Sequence, residues 1–117
     1  MKMYVQKLEP EFIVNDYGVQ LRYLYPNQDI TVPTPFEAAW VIVESGQSTD
    51  PHHHHDAETF FIVEGSGVMN IDDEARAIGK GDVVYIPAFS KHQISNPHDA
   101  RLVFITVSWD IPQEGGQ

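Results

Sequence analysis

The sequence predicts an all-β, single-domain fold, an antiparallel sandwich or barrel, on three observations. Nearly every apolar run is short, rich in Val, Ile, Phe and Tyr, and closed by Gly, Pro, Asn or Asp. No segment longer than two turns keeps a helical period, so helix is incidental. A chain of 117 residues with 42% hydrophobic content fills one core and is too small for two.

Taken in order, Phe12 to Val14 reads as a short first strand. The turn signal Asp16-Tyr17-Gly18 separates it from a second strand, Val19 to Tyr25. Phe36 to Val43 is the third and Thr59 to Glu64 the fourth. Gly67 to Ile71 and Ala75 to Ile78 flank the acidic tip Asp72-Asp73-Glu74, a solvated hairpin end. Gly79-Lys80-Gly81 then leads into Asp82 to Ile86, which Pro87 closes because proline cannot donate to a ladder. Gln93 to Ser95, the turn Asn96-Pro97 and Leu102 to Trp109 complete the pattern. No repeat or linker interrupts it, so residues 1–117 read as one domain, with a frayed tail over Pro112 to Gln117.

Charge and composition exclude several classes. Seven basic residues against 17 acidic give a net charge of −10, which repels phosphate backbones and argues against nucleic acid. With no cysteine there is no disulfide, thiolate zinc site or cysteine nucleophile. No apolar run reaches membrane-spanning length and the N-terminus carries no signal-like apolar stretch, so no membrane partner and a cytoplasmic location are expected.

The chemistry concentrates at His52-His53-His54-His55 and the acid that follows, Glu58. On an extended backbone alternate side chains share a face, which groups His52 with His54 and sends His53 and His55 the other way. Glu58, at the head of the next strand, turns back to the same side. Two imidazoles and a carboxylate suit a divalent first-row ion. A register shift would exchange His53 and His55 for the predicted pair. A fourth ligand is expected from His92, which opens a return strand beyond Pro87. Such a set leaves coordination positions open, unlike a closed structural site. His98, in a turn, is expected at the surface.

Together these stretches resemble the two motifs of the cupin superfamily. The first is matched without a gap by Gly46, His52, His54, Glu58 and Gly65. The second is matched by Gly81, Pro87, His92 and Asn96, with Phe89 where the family usually has glycine. The resemblance implies a double-stranded β-helix of jelly-roll type holding one divalent transition metal: iron, manganese, nickel, copper or zinc. It also implies a small chelating substrate and a homodimer, with Met1 to Val14, within an N-terminal region 1–30, able to exchange a strand. A dioxygenase is the favoured activity. A Lewis-acid isomerase or lyase, a non-catalytic ligand-binding or accessory protein, and a purely structural metal are the alternatives.

Further roles follow from position. Glu58 is a candidate base should it leave the ion, and Tyr85 a candidate phenol for proton transfer. Phe60 and Ile62, by alternation from Glu58, face inward. Together with Trp40 and Phe104 they are candidate pocket wall, with plain core packing the favoured role. At the second motif's turn, Phe89 must use an ordinary turn geometry or set its ring near the pocket mouth.

Overall fold

A computed structural model describes residues 3–27 and 33–112, and its strands run antiparallel throughout. In chain order they are β1 (Val14–Asp16), β2 (Val19–Tyr25), β3 (Glu37–Val43), β4 (Asp56–Glu64) and β5 (Ser66–Ile71). They continue with β6 (Glu74–Gly79), β7 (Val83–Ile86), β8 (His92–Ser95) and β9 (Leu102–Asp110). One sheet has the order β1-β2-β3-β9-β4-β7 and the other β6-β5-β8. The predicted all-β jelly-roll architecture is what the chain adopts. Of the expected frayed tail, residues 113–117 lie outside the described residues, as does the stretch 28–32.

Two expected elements differ. Phe12 to Val14 is not a strand: Pro10–Phe12 forms a 3-10 turn, and β1 begins only at Val14. Proline's fixed φ suits the first residue of a helical turn. The amides of Phe12 and Ile13 accordingly donate back to Glu9 and Pro10 at 3.0 and 3.1 Å. The fourth strand starts earlier than expected, at Asp56, which puts Glu58 inside β4.

Turn chemistry sets the register. Tyr17 and Gly18 both have positive φ, 54° and 82°, between the paired residues Asp16 and Val19. This is the two-residue primed turn whose twist matches that of the strands it joins. Between β4 and β5, Gly65 sits at φ 79°, where a Cβ would collide with the Arg101 carbonyl.

Between the sheets lies the core, with Val43, Ile86, Ile94, Leu102 and Phe104 almost wholly buried. It is not apolar throughout. Asn96 is also fully buried, donating to the carbonyls of Val43 at 2.9 Å and Ala100 at 2.8 Å. Its Oδ1 accepts from the His98 amide, so the second motif's asparagine ties the β8–β9 turn to β3 with its polar capacity used.

Candidate metal centre

The large sheet supplies the acid. Across it, Glu37, Ser108, Glu58 and Ile86 form one row of directly paired residues. The next row is Tyr23, Ala39, Thr106, Phe60 and Val84. Glu58 therefore projects into the barrel interior, where the Thr106 hydroxyl donates to its Oε2.

The imidazoles come from β8 of the small sheet, which carries His92, and from the segment beside it, which carries His52 and His54. The segment leading to His52 runs antiparallel beside β8, and His52 and His92 pair as a bridge through reciprocal backbone hydrogen bonds of 3.3 and 3.0 Å. Their rings stand 4.3 Å apart, and His54 lies 5.4 Å from His52 and 5.2 Å from His92. One ligand atom from each of His52, His54, Glu58 and His92 falls within 4.8 Å of the others.

All three rings are oriented in the same way. His52 Nδ1 lies 2.8 Å from the Asp50 carbonyl, His54 Nδ1 3.1 Å from that of Asp56, and His92 Nδ1 3.2 Å from that of Ser90. A carbonyl only accepts, so each Nδ1 carries the proton and each Nε2 is left as the free nitrogen. His54 Nε2 and His92 Nε2 each stand 3.2 Å from Glu58 Oε1. A bare lone pair facing a carboxylate is repulsive, so a cation has to stand between them, either a proton on the ring or a metal ion. His92 Nε2 is buried, and despite that proximity it makes no hydrogen bond of good geometry. An orphaned buried nitrogen in a neutral-imidazole and carboxylate donor set fits a divalent transition metal.

Electrostatics favour the charged pair. Burial pushes the Glu58 carboxyl up, but the close approach of His92, the hydrogen bond from Thr106 and the charges of His92 and His54 outweigh it, and the net direction is below the ordinary value. For His92 burial pushes down, and Glu58 with the Ser90 carbonyl brings the net above the ordinary imidazole value. A carboxyl held down in this way serves as a ligand better than as a base.

The other predicted site residues separate. Phe60 and Phe104 line the cavity beside the centre, their rings stacked 4.2 Å apart. Ile62 points inward as expected but belongs to the core below the cavity. Trp40 is on the opposite face of β3, paired with Arg22 and Ile105, and takes no part in the cavity. Tyr85 is 56% exposed and pairs with Thr59, on the face away from Glu58. Phe89 adopts neither predicted alternative. It keeps the glycine-like backbone, φ 68°, with its ring 63% exposed and outside the cavity lining. His53, His55 and His98 are exposed, although His55 Nε2 also meets Asp56 at 3.0 Å and Asp110 at 3.1 Å.

The cavity also contains residues that the sequence did not single out. Tyr17, from the β1–β2 turn, stacks on His52 at 5.4 Å, and Tyr23, Tyr25 and Glu37 stand on the walls. Alternation along β2 was a usable signal, since Val19, Leu21, Tyr23 and Tyr25 share one parity and all line the cavity. Nothing in the sequence announces that the Tyr17 turn folds over a histidine.

Comparison with known proteins agrees with this architecture. The cupin domain profile matches residues 39–108. An uncharacterised protein of Methanocaldococcus jannaschii is 32% identical over 110 residues, covering 93% of this chain and 86% of that protein. The crystal structure of a Cupin 2 conserved barrel domain protein from Salinispora arenicola superposes with a TM-score of 0.85 at 33% identity, covering 94% of this chain and 91% of the other. A gentisate 1,2-dioxygenase of Haloferax is 29% identical over 91 residues, 76% of this chain, but the chain spans only 25% of that enzyme. On the match to its profile and the near-complete coverage of the first two relatives, the chain belongs to the cupin family.

Proposed function

We propose that the chain binds one divalent transition-metal ion through His52, His54, Glu58 and His92, and is an enzyme acting on a small chelating substrate, with dioxygen chemistry favoured. The observation that carries this reading is the common orientation of the three imidazoles. Backbone carbonyls hold every Nδ1, and the freed Nε2 atoms gather around a carboxylate. Bound there, the ion would supply open coordination positions at which a chelator and dioxygen can meet. The chain's own contribution is orientation and enclosure. Thr106 fixes Glu58, Asp50, Asp56 and Ser90 fix the rings, and Phe60 and Phe104 exclude water from one side. The likeness to gentisate 1,2-dioxygenase supports the dioxygen branch over the isomerase or lyase one.

The test is metal analysis of protein purified without an affinity column, paired with the His54→Ala variant. The wild type is expected to hold about one ion per chain, and His54→Ala to lose both the ion and turnover in oxygen-uptake assays. A variant that keeps both sinks the reading.

A homodimer is proposed alongside. Met3, Val5 and Leu8 of the N-terminal arm are exposed apolar residues, the kind of surface a second copy would cover. Light scattering should return twice the 13.2 kDa chain mass, and a monomer at micromolar concentration contradicts the proposal.

A further inference from the structure

The centre opens into a cavity of about 480 Å³ whose lining is uneven in charge. Its floor and walls are apolar or aromatic: Leu21, Ala39, Val41, Phe60 and Phe104. Its ionisable lining, apart from the His52 and His54 imidazoles and the phenols, is acidic: Glu37, Asp56 and Glu58. Tyr23 adds to this, since its hydroxyl donates to Asp16 just beyond the rim.

No described lysine or arginine lines this space, and each is accounted for elsewhere. Arg22 is buried on the opposite face of β2, where it donates to the Lys7 carbonyl and lies 4.6 Å over the Phe12 ring. Arg76 pairs with Glu74 at 2.7 Å and Arg101 with Glu44 at 3.5 Å. Lys7, Lys80 and Lys91 are exposed and outside the cavity. A phosphate ester or second carboxylate on a ligand would thus enter among acids and hydrocarbon with no cation to receive it, and an unpaired buried charge is costly.

We infer that the cavity takes an uncharged chelator: two adjacent oxygens for the ion, an apolar planar body against Phe60 and Phe104, and no phosphate or carboxylate beyond the chelating pair. This rests on the proposed metal reading and narrows it, because a chelating head alone would also suit sugar phosphates and dicarboxylates. The planar body follows from the flat apolar floor that the stacked aromatic pair makes with the small residues Ala39 and Val41 on the same sheet face, Val41 being directly paired with Phe104.

The test uses cobalt(II)-loaded protein, whose visible spectrum reports ligand binding without turnover. Three probes share one chelating head and differ in tail charge: 4-ethylcatechol, 3,4-dihydroxyphenylacetate and dopamine. The neutral probe is expected to bind about tenfold more tightly than the anionic one, with the cationic probe no weaker than about threefold from the neutral. Glu37→Lys, which places a cation on the cavity wall, should narrow the neutral-to-anionic ratio to about threefold or less. Equal or tighter binding of the anionic probe by the wild type overturns the inference, as does a ratio that Glu37→Lys leaves unchanged. If cobalt fails to bind at all, the metal reading falls and the inference with it, an outcome distinct from either of these.

Discussion

Phe89 carries a bulky side chain at φ 68°, in the left-handed region where a Cβ costs about 1–2 kcal/mol. The turn holds it there because its amide donates at 2.7 Å to the carbonyl of His54, a candidate ligand. The ring is 63% exposed, so little packing offsets the strain. Phe89→Gly should then raise the unfolding free energy in urea by about 0.5–1 kcal/mol, after allowing for glycine's extra freedom in the unfolded chain, and leave metal content unchanged. A lower midpoint would mean the ring contributes more than its backbone loses. Other residues show how far one-dimensional reasoning reaches. His52 and His54 share a face because side chains alternate along extended chain, and Phe60 follows Glu58 for the same reason. For Trp40 and Tyr85 alternation leaves the direction open, because it defines two faces without naming the inner one. Nothing in β3 or β7 supplied the anchor that Glu58 gave β4.

Between elements, the β4–β5 junction depends on a single residue. Gly65 combines φ 79° with an approach to the Arg101 carbonyl so close that a Cβ has no room. Its own carbonyl also accepts from Lys80, joining the turn to the β6–β7 connection. Gly65→Ala must either strain the backbone or push β4 from β9, and a loss of about 3 kcal/mol or more in denaturant unfolding is expected. A loss under about 1 kcal/mol would show that the turn relaxes freely. Most strand boundaries were readable because β-branched and aromatic runs end at Gly, Pro, Asn or Asp. The exceptions were local. Pro10 nucleates a helical turn where an apolar triplet suggested strand, and β4 extends back to Asp56 because Ala57, fully buried, pairs with Trp109.

For the molecule as a whole, fold and metal should be separable. The core of Val43, Ile86, Ile94, Leu102 and Phe104 is formed without any group of the centre, so chelation should leave the far-ultraviolet circular dichroism intact. It should nonetheless lower the melting temperature, since an ion at a hundredfold above Kd stabilises by about 2.7 kcal/mol. For a chain of this size that is on the order of 10 °C. An unchanged melting temperature would mean that the ion, if bound, is held only weakly.

The sequence by itself determined the all-β class and singled out the four side chains that gather, His52, His54, Glu58 and His92, because strand periodicity and motif spacing are written along one chain. The tertiary structure decided what surrounds them. It placed Tyr17 over His52, brought Glu37 and Tyr23 into the cavity, sent Tyr85 and Trp40 to the other face, and left the lysines and arginines outside. The physical reason is that a cavity's lining and charge are set by which strands become neighbours and in what register. That is a property of pairings between residues far apart in the chain, fixed only when the two sheets close on each other.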